Sequence, residues 1–293
     1  MTGHSGFIGS HFTKSFKNKF NVVGISNKIV SDSDISQIKI DIKNISIKDT
    51  PKEIFCIVHL AALTDVNYCN NFPTEAFQVN TLGTQNLLEI ARKKNSKFIY
   101  LSTSHVFGNP KQIPIKENHP KQPTSIYSAS KLGGEILCES YSKTYGLDIS
   151  TARLFSIYGP NSPKHLVTSK IIKQLLQGNT IELGNIKPKR DFLYIDDVIK
   201  GLEILLHNTR GFNSYNIGYG KSFSIENLCK ILIKIANKDI KIKSKKSLSR
   251  TKDIPNMVAN CSKIKKLGWK PTVKLNDGLK LTYEWFEANI LRI

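Results

Sequence analysis

A tyrosine and a lysine four residues apart form the most reactive pair of side chains in the sequence. The stretch Tyr127-x-x-x-Lys131 places a phenol and an ammonium on one face of a predicted helix over residues 125–145. A nearby ammonium would lower the Tyr127 pKa from about 10, so that a phenolate forms near neutral pH. A neighbouring hydroxyl would complete a proton relay to a substrate alcohol. In a Lys-rich chain with ten tyrosines, this spacing alone also arises by chance.

Small hydroxyl side chains supply the rest of such a relay. Ser102, Thr103 and Ser104 follow a predicted strand over residues 97–102. Ligands of parallel sheets bind at the carboxyl ends of the strands, so Thr103 is a candidate partner of Tyr127. His105 comes next and could face the substrate. His59 ends the preceding strand within an apolar run, and we interpret it as a structural residue.

A glycine-rich turn opens the sequence. Gly3, Gly6 and Gly9 are spaced three residues apart before a helical pattern, which suits a phosphate-binding turn at a helix N-terminus. Such a turn follows a strand, yet only Met1 and Thr2 precede Gly3. We therefore expect the start to be about five to eight residues too late, a strand's length. An upstream start or a truncated gene copy would explain this.

The element pattern predicts an α/β fold. Predicted strands over residues 21–25, 38–42, 54–62, 97–102 and 148–155 alternate with helical segments, which indicates βαβ units and a doubly wound parallel (Rossmann) sheet. The first strand of that sheet is the one apparently missing. We expect a dinucleotide-binding domain over residues 1–157. A smaller substrate-binding lobe over 158–293 would return some segments to the first domain.

The amino-acid composition limits the classes of binding partner and the cellular compartment that we expect. The chain has 293 residues and a formal charge of +20, with Arg at only six of its 43 basic positions. The basic charge raises the possibility of nucleic-acid binding, but the lysines do not cluster with aromatics, so we interpret them as general surface charge. No segment has the pattern of a membrane span or a signal peptide. The five cysteines show no Cys-x-x-Cys pair, so we expect a cytoplasmic protein with no metal site or disulfides.

Nine short stretches follow one another over nearly the whole chain in the order of one known family. They are Thr2-Gly3-x-x-Gly6-Phe7-Ile8-Gly9, His59-Leu60-Ala61-Ala62, Asn80-x-x-Gly83-Thr84-x-Asn86-Leu87-Leu88, Ser102-Thr103-x-x-Val106-Phe107-Gly108, Tyr127-x-x-x-Lys131, Arg153-Leu154-Phe155-Ser156-Ile157-Tyr158-Gly159-Pro160, Arg190-Asp191-Phe192-x-Tyr194-Ile195-Asp196-Asp197-Val198, Tyr215-Asn216-Ile217-Gly218 and Leu267-Gly268-Trp269-x-Pro271.

With these stretches the chain resembles the extended short-chain dehydrogenase/reductases, in particular the NAD-dependent nucleotide-sugar epimerases and dehydratases such as UDP-glucose 4-epimerase. The resemblance implies NAD as cofactor, a nucleotide-diphosphate sugar as substrate, and a homodimer formed through a helical face, for which the 125–145 helix is a candidate. It implies catalytic roles for Thr103, Tyr127 and Lys131. The implied cofactor-binding residues are Gly3, Gly6, Phe7, Ile8, Asp41, Ile42, Leu60, Ala61, Ala62, Thr64, Asn80, Tyr127 and Lys131. The implied substrate-binding residues are Thr103, Ser156, Arg190, Arg250 and Asp253.

Three departures from the family pattern bear on function. Members that prefer NAD carry an acid after the second strand, whereas this chain has Ser26-Asn27-Lys28, so NADP is not excluded and Lys28 could meet a 2′-phosphate. Dehydratases carry Asp-Glu after the catalytic Thr, whereas this chain has Ser104-His105, which argues against 4,6-dehydration. Ser156 replaces the family's Asn, which puts one substrate contact in doubt.

Three functions fit these features. The leading hypothesis is a nucleotide-sugar 4-epimerase that transiently oxidises C4 of the sugar. An NAD(P)H-dependent reductase of a nucleotide-linked 4-ketosugar is the alternative, because residues 64–69 and Ser26-Asn27-Lys28 are similar to the dehydrorhamnose reductase type. A non-catalytic member that binds a nucleotide, a protein or RNA is the third.

Overall fold

The computed structural model describes residues 1–31, 33–248 and 253–289, and it contains a large parallel sheet and two small sheets. The strands are β1 Val23–Ser26, β2 Ser36–Lys39, β3 Cys56–His59, β4 Lys97–Thr103, β5 Ile149–Leu154, β6 Ser156–Tyr158, β7 Thr180–Leu183, β8 Lys189–Tyr194, β9 Phe212–Ile217, β10 Ser222–Ser224 and β11 Lys241–Ser244. The α-helices are α1 Phe7–Phe16, α2 Val66–Asn71, α3 Pro73–Phe77, α4 Gly83–Lys94, α5 Ile126–Tyr145, α6 Val167–Gln177, α7 Ile195–Asn208, α8 Ile225–Ala236, α9 Ser262–Lys265 and α10 Leu275–Ala288. A π-helical turn, Gln78–Leu82, joins α3 to α4.

The large sheet has the strand order of a doubly wound fold. β2 pairs with β1, and β3, β4, β5 and β9 follow one another, all in parallel. Residues 1–3 lie between β1 and β3 at their carboxyl ends. Thr2 N–H donates to Val58 O (3.0 Å), and Gly3 N–H donates to Ile25 O (2.9 Å). At this end of the sheet, residues 1–3 therefore occupy the place of the strand that the sequence analysis expected to be missing, and they join the two halves of the sheet.

Apolar clusters on the two faces of the large sheet hold it between helices. Alternate residues of β4 enter different clusters: Phe98 and Tyr100 pack with residues of α4, whereas Ile99 and Leu101 pack with the cluster that includes α1 and α7. A parallel strand buried on both faces requires such a continuous apolar run. The predicted α/β fold with a doubly wound sheet is thus confirmed.

The later part of the chain contributes to both regions. β8 pairs with β6 and β10, and β7 pairs with β11, so these strands form two smaller sheets. β9 and α7 return to the large sheet, where β9 extends it beyond β5. Within the described part of the chain, no helix is both long and apolar enough to span a bilayer.

Candidate functional site

A cavity of about 550 Å³ lies where the strand ends of the large sheet meet the smaller sheets. It is lined both by the glycine turn and by residues far along the chain. The predicted site residues that line it are Gly3, Gly6, Phe7, Ile8, Leu60, Ala62, Thr64, Thr103, Tyr127, Lys131, Ser156, Arg190 and Asp253.

The glycine turn forms one end of this cavity. Gly3 has a positive φ of 68°, and a Cβ added to it would lie 2.8 Å from Ala61 N, so only glycine fits between the two strand ends. The first turn of α1 lines the cavity and contains no acidic residue. Among the described residues, no side chain caps this helix start. Its N–H groups are therefore suited to an anion, which fits the pyrophosphate of a dinucleotide.

Buried hydrogen bonds behind the turn fix its position. Thr2 Oγ1 accepts from the N–H groups of Leu60 (3.2 Å) and Ala61 (3.1 Å) and lies 2.7 Å from His59 Nδ1. The other ring nitrogen of His59 lies 3.0 Å from Thr84 Oγ1. Burial keeps the His59 pKa well below its usual value, and Lys131 acts in the same direction. His59 is thus a neutral structural residue, as the sequence indicated.

The proposed catalytic side chains come from the end of β4 and the start of α5. Thr103 ends β4, and its Oγ1 accepts from His105 N–H (3.2 Å). Ser125 and Ser128 form a reciprocal capping box that fixes the first turn of α5, which carries Tyr127. One turn later, Lys131 Nζ lies 4.2 Å from the centre of the Tyr100 ring.

Burial shifts both members of the Tyr–Lys pair. It raises the Tyr127 pKa to about 12, against the opposing effect of hydrogen bonding with Thr103. It lowers the Lys131 pKa to about 7, against the opposing charge of Glu135. The expected lowering of the Tyr127 pKa is therefore not found in the ligand-free protein, where burial is the largest effect. Lys131 is buried and Tyr127 is half-buried, and desolvation disfavours the charged form of each.

We expect Lys131→Met to stabilise the ligand-free protein at pH 6–7. With a folded pKa of about 7 against 10.5 when unfolded, the unfolded chain binds more protons between these values. Wild-type stability should therefore rise more steeply with pH across this window than that of the variant, which lacks this group. Urea unfolding at pH 6 and pH 9 measures both slopes. Equal slopes in the two proteins would contradict the lowered pKa.

Four predicted cofactor residues do not line the cavity: Asp41, Ile42, Ala61 and Asn80. Asn80 is fully buried, and its amide pairs with both the N–H and the C=O of Leu63 and donates to Ser130 Oγ. It therefore links the strand end near Thr64 to the helix that carries Lys131. Ile42 is buried in the cluster next to α4. β2 ends at Lys39, so Asp41 and Ile42 follow the strand instead of forming part of it as predicted.

The opposite side of the cavity carries an ion pair. Arg190 Nη2 lies 2.6 Å from Asp253 Oδ1, and Arg190 Nη1 donates to Ile254 O (2.7 Å). The two residues are 63 positions apart, and backbone hydrogen bonds of Pro255 and Met257 with β8 bring them together. Ser156 enters the cavity from β6. Arg250, the remaining predicted substrate residue, lies outside the described residues.

The cavity also contains polar residues to which the sequence analysis gave no role. His165, Lys170 and Asn185 line it. His165 and Lys170 are close enough to Asp65 to lower its pKa, after the larger effects of its hydrogen bonds from Tyr68 and Asn67 N–H. Their only sequence signal is their position after Tyr158-Gly159-Pro160. His105, which the sequence suggested could face the substrate, lines the cavity. Its ring centre lies 6.4 Å from that of Tyr127.

The end of β1 lacks the carboxylate that binds ribose hydroxyls in NAD-preferring relatives. Ser26 Oγ is used locally: it accepts from Lys28 N–H (3.0 Å), and Ser5 Oγ lies 3.3 Å away. This hydroxyl cluster carries no negative charge that would repel a 2′-phosphate.

Comparison with known proteins agrees with this arrangement. The GDP-mannose 4,6 dehydratase family matches residues 1–282. UDP-glucuronate 4-epimerase 4 of Arabidopsis thaliana is 29% identical, with 98% of this chain and 74% of the relative covered. The solved UDP-glucuronic acid 4-epimerase of Bacillus cereus, in complex with UDP-glucuronic acid and NAD, is 31% identical with a TM-score of 0.90 and 98% coverage of both chains.

A second solved structure is similar over its whole length. The UDP-N-acetylglucosamine 4-epimerase of Methanobrevibacter ruminantium, in complex with UDP-N-acetylmuramic acid, is 27% identical with a TM-score of 0.91 and covers 100% of this chain and 97% of its own. Together with the glycine turn and the Thr–Tyr–Lys set in one cavity, these matches show that the chain belongs to the GDP-mannose 4,6 dehydratase family, the NAD-dependent short-chain dehydrogenase/reductases that act as nucleotide-sugar epimerases and dehydratases.

Proposed function

We propose that this protein is an NAD-dependent 4-epimerase of a nucleoside-diphosphate hexose. One observation carries the proposal: a single cavity joins a dinucleotide-type glycine turn, the Thr103–Tyr127–Lys131 set and the Arg190–Asp253 pair. A cofactor, a sugar alcohol and a diphosphate each find matching chemistry there. The Ser104-His105 sequence after Thr103 offers no acid for 4,6-dehydration.

In the proposed reaction the chain's own residues bind, orient and move one proton. NAD, held by the glycine turn and Lys131, would supply the hydride acceptor and donor for C4, and its positive nicotinamide would favour the Tyr127 phenolate. Tyr127 takes the O4 proton as the alcohol becomes a ketone, and gives it back when the ketone is reduced. Thr103 orients that oxygen, while Lys131 holds the nicotinamide ribose.

The remaining cofactor residues have the following proposed roles. Gly3, Gly6, Phe7 and Ile8 hold the pyrophosphate at the start of α1. Leu60, Ala62 and Thr64 form the wall beside the nicotinamide half. Ala61 supports the glycine turn at Gly3, and Asn80 supports the wall from behind through Leu63. Asp41 and Ile42 meet the adenine from the segment after β2.

On the substrate side, we assign the diphosphate to Arg190. A planar guanidinium can bind phosphate oxygens in pairs, and Arg190 is already oriented by Asp253 and Ile254 O. Asp253 then accepts from hydroxyls of the nucleoside ribose, and Arg250 adds a second cation. Ser156 meets the sugar. UDP-linked hexoses are the first substrates to test, because the similar epimerases act on UDP-sugars.

A 4-ketosugar reductase is the second candidate, favoured by the missing carboxylate after β1. Incubation of purified protein with UDP-glucose, UDP-galactose and UDP-glucuronate, each with and without NADPH, separates the two. Interconversion of 4-epimers without added nicotinamide supports the epimerase. Consumption of NADPH with a 4-ketosugar, and no interconversion, would overturn it. A non-catalytic protein would show neither.

We further propose a homodimer through the outer face of α5, with residues 1–157 as the cofactor domain and residues 158–293 mainly as the substrate lobe. Ile136 on α5 is 55% exposed, and Leu82 on the adjoining π-helical turn is 51% exposed. An apolar surface of this kind on packed helices is suited to a second copy of the chain.

Ile136→Glu should convert such a dimer to a monomer. A carboxylate buried at the contact would lack a partner. We expect the free-energy cost of burying it to exceed the association free energy of a modest interface. Light scattering coupled to size exclusion gives the mass. Leu281→Glu on α10, where Leu281 is 48% exposed, is the matched control and should leave the mass unchanged. A wild-type monomer, or a variant that stays dimeric, would contradict this interface.

A further inference from the structure

Three consecutive residues of β8 hold one later segment of the chain, residues 253–259. Lys189 does so through its backbone, donating N–H to Pro255 O (2.8 Å) and accepting from Met257 N–H (3.2 Å). Arg190 does so through its side chain, which contacts Asp253 and Ile254 O. Asp191 accepts from Ala259 N–H (2.9 Å). The segment that presents Asp253 to the cavity is therefore fixed to β8 along its length.

Asp191 anchors the far end of this segment. It is fully buried, and its carboxylate accepts Tyr219 N–H at Oδ1 (2.6 Å) and Gly220 and Ala259 N–H at Oδ2 (both 2.9 Å). A Cβ on Gly218 would lie 2.8 Å from Asp191 Oδ2. The glycine thus allows the carboxylate to join the turn after β9 to residues 253–259.

Asp191 is set apart from the cavity that it serves. Successive side chains of a strand point to opposite faces, and only Arg190 of the two lines the cavity. Asp191 does not line the cavity, so it makes no direct contact with a substrate or cofactor bound there. Its effect on them passes through the backbone of residues 253–259, whose other end carries Asp253.

We propose that Asp191 is a positioning residue for binding the nucleoside diphosphate: it holds residues 253–259 so that Asp253 and Arg190 keep their spacing across the cavity. This rests on the proposed function, in which these two residues bind the ribose and the diphosphate. Loss of the Asp191 acceptor releases the Ala259 end of the segment, so the cost falls on nucleotide affinity and not on the chemistry at Tyr127.

Asp191→Ala tests this role, because a methyl group accepts none of the three N–H groups that the carboxylate holds. UDP, GDP and dTDP are titrated calorimetrically into the protein, and the nucleotide that binds most tightly is used throughout. We expect Asp191→Ala to weaken the binding of that nucleotide at least tenfold and to raise KM with kcat nearly unchanged. NAD binding should change less than twofold.

Asp197→Ala is the matched control. Asp197 is equally buried, and its carboxylate accepts Thr272 and Val273 N–H (3.0 and 2.9 Å), so it fixes another late segment that does not line the cavity. This variant should lower stability without weakening nucleotide binding. If Asp191→Ala does not fold, Gly218→Ala, which crowds both the Asp191 carboxylate and Ala259, replaces it with the same expectation.

Two results would overturn the inference: unchanged nucleotide affinity in the folded Asp191 or Gly218 variant, or an equal loss of nucleotide affinity in Asp197→Ala. The proposed function is judged separately from wild-type turnover. A wild-type protein that reduces ketosugars instead of epimerising them would leave the contrast between Asp191 and Asp197 intact. A wild-type protein that binds none of the three nucleotides would overturn both.

Discussion

Tyr127→Phe is expected to lower kcat for epimerisation by about 10²- to 10⁴-fold, the usual contribution of a positioned general acid–base. The phenyl ring keeps the packing of the half-buried Tyr127 side chain but has no group to take the O4 proton. Affinity for UDP and the unfolding midpoint should remain close to wild type. Steady-state assays, calorimetry and urea unfolding on the same preparation measure all three.

Tyr141→Phe provides the control for this variant. Tyr141 lies on the same helix, and its hydroxyl donates to Glu89 on the outer side, away from the cavity (2.8 Å). Removal of that hydroxyl should leave kcat unchanged. If Tyr127→Phe retained its turnover, another group would have to carry the proton. This result would contradict the proposed catalytic roles of Thr103, Tyr127 and Lys131.

Glu135→Gln should give the largest loss of stability, about 3–5 kcal/mol, because it leaves a buried guanidinium without its counter-ion. Glu135 on α5 and Arg153 on β5 form a two-pronged pair, with 2.9 Å between Nε and Oε1 and between Nη2 and Oε2, and both side chains are 1% exposed. Arg153 Nη1 also donates to Glu117 O (2.9 Å). The pair thus fixes α5, one turn after Lys131, to the centre of the sheet.

The stability of this pair should depend on pH. Burial acts to raise the Glu135 pKa, but hydrogen bonds and charge from Arg153 hold it below its usual value of 4.5. A depressed folded-state pKa means that the stabilisation is present above pH 4.5 and is lost as the pH falls through the folded pKa. Urea unfolding at pH 7 and pH 4 should therefore show a smaller difference between wild type and Glu135→Gln at the lower pH.

Glu139→Gln on the same helix is the matched control. Glu139 and Lys143 form an exposed ion pair (2.6 Å), whose removal should cost only about 0.3–0.5 kcal/mol. Equal losses in the Glu135 and Glu139 variants would mean that burial adds nothing to the Glu135–Arg153 pair.

The sequence predicted those parts of the site that lie within one strand–turn–helix unit. Gly3 and Gly6, or Tyr127 and Lys131, are neighbours along the chain, so their spacing already specifies a turn or a helix face. The predicted sheet is confirmed for the same reason, since the periodicity of each strand is local. The predicted strand over residues 54–62 is longer than the observed strand β3, because the apolar run continues past the last hydrogen bond between the strands.

Properties set by tertiary packing were not predictable in this way. The Tyr127 pKa follows from burial beneath neighbouring elements, so the spacing to Lys131 gave the wrong direction. Asn80 was assigned to the cofactor site from its family position. Its hydrogen bonds to Leu63 and Ser130 instead place it behind the cavity wall, where it holds these two segments together. His165 and Lys170 enter the cavity only because the segment after Pro160 folds back over it, which no local pattern encodes.

The central claim, transient oxidation at C4, is tested most directly with UDP-hexose carrying deuterium at C4. The purified protein is incubated with this substrate in ordinary water without added nicotinamide, and the 4-epimer is analysed by NMR and mass spectrometry. The account predicts that the 4-epimer forms and retains its deuterium at C4, because the hydride leaves and returns without contact with solvent. Formation of an epimer whose C4 deuterium has been replaced by hydrogen from water, or no epimer at all, would contradict it.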